Sequence, residues 1–273
     1  MCTAKWCGTF WREHPTVCLE TPAEALQGIS RNLLFIAFSF IVTMAAMTTT
    51  LQRRSVTNHF LLDNISWETY ERLLREVDSR HVRLTYDNGD LEIMTLSLGH
   101  ESAGRLLGVL VRLLAMELQM PFKGGGSTTM RRKIKRTGLE PDECFWFQNE
   151  PAMRGKKKWQ AAHDPPPDLA IEMDITHSSM DRMGIYAALR VPEVWRCTRK
   201  SLKAYRLHEA GTYQVEEGSA LLPFVPLDEI YRFLMLSDQM DEAELLRRFV
   251  GWVRAEVLPR YQAWRQRGKK NGK

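Results

Sequence analysis

PPPDLAIEMDITHSS, residues 165–179, decides the fold, because it reads as a buried strand that nevertheless carries acids. In an extended chain alternate side chains share a face, so Asp168, Glu172 and Asp174 point to the same side as Ala170. A strand advances about 3.3 Å per residue, which puts Asp168 about 13 Å from Glu172 and prevents the two from binding one cation. Glu172 and Asp174 are only about 6.6 Å apart and flank a single ion if another acid arrives from an adjacent strand. Asp142, which follows Pro141 and introduces the apolar run ECFWF, is placed to be that acid. Converging carboxylates make a hard-oxygen site suited to Mg²⁺ or Mn²⁺, an ion that polarises a phosphoryl oxygen and acidifies an attacking water. The ranking is therefore Asp142 and Glu172 first, Asp174 next, and Asp168 as a residue that starts the strand or supports the site. Two readings stay open. Asp142 and Asp168 each follow a proline, an ordinary turn arrangement, and Glu172, between Ile171 and Met173, is costly to bury unless it binds a metal or pairs with Arg or Lys.

Around this strand the patterning alternates between helix and strand. SWETYERLLREVDS (66–79) has an N-capping Ser66 and apolar residues at helical spacing. HVRLTYDNGDLEIMTL (81–96) splits into two runs at Asn88-Gly89, a hairpin signal with a primed turn. HESAGRLLGVLVRLLAMELQM (100–120) is apolar except on its arginine-bearing stripe, so it lies against a sheet. Strand-like runs follow at TTMRRKIK, ECFWFQ, LAIEMDI, EVWRCT, LKAYRLH and TYQVEE, with a helix over 179–189 and helical patterning again toward the C-terminus. The order indicates a mixed α/β (α+β) domain.

Composition excludes a disordered chain: of 273 residues 44% are apolar and 26% charged. Charge is uneven, since residues 121–160 hold ten Lys/Arg against four Asp/Glu, a local +6 in a chain whose total is +5. Such a cluster suits a polyanion, or is a solvated loop. Cys144 and Cys197 are the only thiols after residue 46, which fits a reducing compartment and a cytoplasmic location. Residues 1–46 form an anomaly containing an uncharged apolar run. A membrane span needs about 20 apolar residues, whereas the run over 33–47 has 15 before it turns to threonines. A signal peptide would not be preceded by so long a polar stretch. The favoured expectation is that translation starts at Met47, leaving residues 1–46 outside the fold and no stable membrane association.

EPDECFWF, PPDLAIEMDITHSS and IYAALRVPEVWR together resemble successive blocks of the Uma-type restriction endonucleases, a branch of the PD-(D/E)XK nuclease superfamily, and LEIMTLSLGHESAGRLLGVLVRLL resembles the block upstream of them. The likeness runs from about residue 51 to 236, so the expected division is 1–46 as an extension, 47–236 as the nuclease-like domain and 237–273 as a C-terminal helix and basic tail. The resemblance implies a restriction-endonuclease-like core, a mixed sheet of about four or five strands between helices. It also implies Mg²⁺-dependent (or Mn²⁺-dependent) cutting of nucleic acid, DNA first, by a homodimer. On its pattern Asp142 and Glu172 are metal ligands and catalytic, Glu101 or Glu92 completes the metal shell, and His100 orients a water or phosphate. The superfamily's lysine two residues after the acid is replaced by Asp174. The lysine that the family carries four residues before a helix tyrosine is matched by Arg182, expected as a phosphate clamp; arginine cannot serve as a base because its pKa stays above about 12. The family's usual glycine at the end of that helix is Arg190. Arg131, Arg132, Lys133 and Lys135 on one side of Asp142, and Lys156, Lys157 and Lys158 on the other, are the expected phosphate-binding residues. The competing expectation is a nuclease fold that binds DNA without cutting it.

Overall fold

Local signals place the elements in a computed structural model that describes residues 59–77, 82–174 and 180–271. The expectations for residues 1–46 and for a start at Met47 lie outside the described residues. In chain order the elements are β1 (His59–Leu62), α1 (Trp67–Glu76), β2 (Val82–Asp87), β3 (Asp90–Thr95), α2 (Leu98–Glu117), β4 (Lys123–Gly124), β5 (Met130–Arg132) and β6 (Thr137–Leu139). After these come β7 (Glu143–Trp146), α3 (Glu150–Met153), β8 (Leu169–Asp174), α4 (Arg182–Leu189), β9 (Glu193–Thr198), β10 (Leu202–Leu207) and β11 (Tyr213–Glu216), then α5 (Leu227–Met235), α6 (Glu242–Trp252), a π-helical turn (Val253–Val257) and α7 (Leu258–Asn271). Ser66 caps α1 by accepting the Thr69 N–H at 3.1 Å, and Ser97 caps α2 by accepting that of His100 at 3.3 Å. The second cap starts α2 two residues before the position that periodicity alone suggests. The β2–β3 hairpin turns on Asn88 and Gly89, both at positive φ (51° and 115°), as a primed turn requires.

The described strands form two sheets rather than the single sheet expected. The first is antiparallel, in the order β1-β3-β2-β6-β5. The second runs β11-β10-β9-β8-β7-β4, and only its central β8–β9 pair is parallel. The first sheet is hidden in the sequence because TTMRRKIK reads as one strand, yet the chain breaks into a 3₁₀ turn over Lys133–Lys135 and reverses at Arg136, whose φ is 49°.

Helix α2 covers β7 and β8 with Leu107, Leu110, Val111 and Leu114, all essentially inaccessible. The same cluster takes in Leu245, Phe249, Val253 and Val257, so α6 and the π-helical turn after it contribute to the core. Helix α4 follows β8 and precedes its parallel neighbour β9, a β-α-β crossover. Its buried face, Ile185, Tyr186 and Leu189, meets Ala170 and Val194 of the second sheet and Met130 and Leu139 of the first. This wedge between the sheets positions the site.

Helix α4 ends at Arg190, exposed and held in the left-handed region at φ 62° and ψ 35°. An L-residue there costs about 1–2 kcal/mol, which explains why glycine suits the position. Arg190→Gly is expected to raise stability by roughly 0.5–1 kcal/mol after the added freedom of the unfolded chain is subtracted. A urea midpoint that rises at constant m-value would show it.

Candidate active site

Glu172 lies in the middle of β8 on the face turned toward α4, and only 7% of its surface is accessible. Two side chains one helical turn apart on α4 meet it. The Arg182 Nε lies 2.5 Å from Oε1, and Nη2 donates to Oε2 at 3.0 Å. The Tyr186 hydroxyl donates to Oε2 at 2.6 Å. Burial, and next the adjacent Glu172 charge, raise the Tyr186 phenol well above its ordinary value, so it remains a donor. Arg182 also donates to the Thr85 hydroxyl on β2 (2.7 Å) and to the Glu140 backbone carbonyl (2.9 Å). The guanidinium expected to clamp a phosphate is thus turned inward, because an uncompensated carboxylate in an apolar strand costs more than the fold tolerates. Of the two readings left open for Glu172, the geometry shows the buried ion pair.

Asp142 immediately precedes β7, one residue beyond the Glu143–Ile171 pair, which sets its backbone beside Glu172. Its Oδ2 accepts the Met173 N–H at 2.8 Å, and its Oδ1 faces the His100 Nδ1 at 3.6 Å. Gly104 on α2 makes room, since a Cβ there would stand 3.3 Å from the Asp142 Cβ. Burial, and next repulsion from Glu172, push the Asp142 carboxyl from an ordinary 3.8 up to about 6, against opposing pulls from His100 and the Met173 N–H. The imidazole of His100, 4% exposed, bonds through Nε2 to the Met173 carbonyl at 2.8 Å. Two cavities flank the pair: His100 lines one and Asp142 the other. One of about 130 Å³ is lined by Glu172, Asp174, Arg182, Arg196 and His100 itself. The other, about 330 Å³, is lined by Asp142, Glu101, Glu143, Arg83, Arg105 and Ser127.

The other expected residues divide by location. Glu101 reaches the Asp142 cavity but also pairs with Arg105 at 3.1 Å. Asp174 pairs with Arg196 at 2.5 Å. Glu92 is on β3 of the first sheet, in register with Thr85 and 3.5 Å from the His59 ring. Asp168 anchors a turn: its carboxylate accepts the backbone N–H groups of Phe147 (2.7 Å) and Asn149 (3.1 Å) and the Asn149 side chain (2.7 Å), so its oxygens are engaged at the start of the strand. Arg131 lies 3.9 Å from Glu71 and Lys133 3.5 Å from Glu68, while Arg132 donates to the Ala188 carbonyl at 3.4 Å and Lys135 closes the 3₁₀ turn. Lys156, Lys157 and Lys158 line a separate cavity of about 360 Å³ with Lys123 and Trp159.

Among the described residues no three His, Cys, Asp or Glu side chains gather at metal-ligand spacing, so Asp142, Glu172 and Glu101 do not form one three-carboxylate shell. The donor set fits a divalent cation at Asp142, whose Oδ1 faces a buried nitrogen that has no hydrogen-bond partner. It does not fit one chelated by both Glu172 oxygens, which Arg182 and Tyr186 occupy. Sequence reading missed Tyr186, Thr85 and Arg83. Tyr186 was within reach, four residues after Arg182 on one helix face.

A carboxylate pair lies where β7 and β8 meet, beside a β-α-β crossover and a polar cleft. The chain belongs to the Uma2 family, described as "Putative restriction endonuclease", whose family model matches residues 67–233. A crystal structure described as "a putative nuclease belonging to DUF820", from Anabaena variabilis, is similar at 12% identity and a TM-score of 0.39, over 68% of this chain and 99% of that one. No curated protein matches the chain. Among the described residues no helix is long and apolar enough to cross a membrane.

Arg182→Met leaves the Glu172 charge buried without a counter-charge, so it is expected to cost about 3–5 kcal/mol, whereas Arg182→Met combined with Glu172→Leu costs much less. Urea denaturation of the single and double variants checks the coupling. Asp142 gives a pH signature as well. Its native pKa of about 6 exceeds the ordinary 3.8, so the stabilisation it adds is complete below pH 3.8 and is lost as pH rises through 6. The difference is on the order of 3 kcal/mol. Asp142→Asn is expected to flatten that slope in denaturant midpoints taken from pH 4 to 7.

Proposed function

We propose that the protein is a Mg²⁺-dependent (or Mn²⁺-dependent) endonuclease that hydrolyses phosphodiester bonds of DNA in the cytoplasm. The supporting observation is Asp142, a buried carboxyl close enough to Glu172 to feel its charge and facing an imidazole nitrogen across 3.6 Å. When bound, the cation supplies Lewis acidity toward a phosphoryl oxygen and a water of lowered pKa. Asp142 holds it, and the Glu172 carboxylate beside it adds negative charge while Arg182 and Tyr186 fix its orientation. Asp174, the last residue of β8, is the proton acceptor. Phosphates on either side are held by Arg131, Arg132, Lys133 and Lys135 and by Lys156, Lys157 and Lys158, an attraction blind to sequence. Two copies act together so that both strands are cut.

A second reading has its own support. The buried Arg182 guanidinium neutralises Glu172, and no lysine stands two residues after it, which favours a nuclease fold that binds DNA without cutting. A plasmid assay with Mg²⁺ or Mn²⁺ separates the two. The endonuclease gives linear and nicked product, and Asp142→Ala or Glu172→Ala lowers the rate by more than about tenfold, the least expected when a metal ligand is lost. Wild type and variants equally silent, with DNA still retarded on a gel, would establish the binding protein instead.

A further inference from the structure

His100 is a buried group to which the proposed hydrolysis assigns no task. Its Nε2 lies 2.8 Å from the Met173 carbonyl, an atom that only accepts, so Nε2 carries the proton. The other nitrogen, Nδ1, is buried without a hydrogen-bond partner and faces the Asp142 Oδ1 at 3.6 Å. Were Nδ1 also protonated, a charge-assisted bond would draw the two atoms to about 2.7–2.9 Å. Were it bare with nothing between, a lone pair would face a carboxylate oxygen inside the protein. Two ligands each about 2.1 Å from one ion stand about 3.0–3.4 Å apart at octahedral or tetrahedral angles, close to the separation seen. An imidazole whose far N–H is tied to a backbone carbonyl is also the usual state of a ligating histidine, because the tie fixes tautomer and ring orientation.

We propose that His100 donates a nitrogen ligand through Nδ1 to the cation held by Asp142, which makes the centre select ions that accept nitrogen over Mg²⁺. The inference rests on the metal-dependent nuclease reading. It adds that one protein carboxylate and one imidazole form the inner set, with water completing the shell, because Glu172 is already engaged by Arg182 and Tyr186. Imidazole favours later transition ions over Mg²⁺, so affinity should rise from Mg²⁺ to Mn²⁺ and further to Co²⁺.

The test uses the full chain without nucleic acid. Calorimetric titration with Mg²⁺ and Mn²⁺ is expected to show Mn²⁺ bound at least about tenfold more tightly, and pulsed EPR of bound Mn²⁺ should show nitrogen-14 modulation from a coordinated imidazole. His100→Gln keeps an amide N–H for the Met173 carbonyl but offers no nitrogen lone pair. It is expected to lose the modulation and to weaken Mn²⁺ binding more than Mg²⁺ binding, so that the preference for Mn²⁺ falls. Mn²⁺ bound without nitrogen modulation in the wild type would overturn the assignment of His100 and leave a metal-dependent enzyme standing, an outcome that does not depend on the variant folding. Modulation and preference retained by a folded His100→Gln would overturn it equally. Failure of the wild type to bind either ion would remove the metal-dependent reading itself, and this inference with it.

Discussion

One ion pair organises this molecule. Glu172 occupies a strand position that burial would forbid to a lone charge, and Arg182 is the group that makes it tolerable. The guanidinium does more than neutralise a carboxylate, since its remaining donors reach Thr85 in the other sheet and the carbonyl of Glu140, two residues ahead of Asp142. A planar fork with five fixed N–H groups suits a site where three acceptors on different elements must be joined; a lysine ammonium would meet fewer of them in fixed geometry. The wedge of α4 between the sheets and the placement of both acids follow from the same contact.

That arrangement sets stability and chemistry in competition for the same carboxylate. The more completely Arg182 and Tyr186 engage Glu172, the less of it is left for a cation, and the centre of gravity moves to Asp142 and His100. Asp142 feels burial and the Glu172 charge together, which keeps its carboxyl reluctant to ionise without a positive partner. His100, reaching across from the first turn of α2, lines one cavity and faces Asp142, which lines the other.

Much of the fold was legible along the chain. The Asn88-Gly89 hairpin, the Ser66 cap, the apolar α2 and the acid-bearing β8 each carry a local signal that survives packing, because turn chemistry, capping and periodicity depend on neighbours in sequence. The first sheet was not legible as a sheet: β1, β5 and β6 are too short to show a period, and Arg136 reverses the chain without a glycine to announce it. The acids were found by their cost, since a carboxylate inside an apolar run has to be compensated. Which group compensates it had no local signal. The compensator is on a helix beyond the strand, and whether that helix aims its charge at the strand or at solvent depends on what packs behind it.

By itself, then, the sequence determined the order of the longer elements, the strand that carries Glu172, the neighbouring position of Asp142 and the family to which the chain belongs, because these rest on spacing and on the energetic cost of burying charge. Only the tertiary structure decided that there are two sheets, that Arg182 faces inward, that Asp168 serves a turn, and that His100 meets Asp142 across 3.6 Å. Those outcomes depend on which side chains from distant segments compete for the same buried oxygen atoms, and such a competition is settled only when the segments come together.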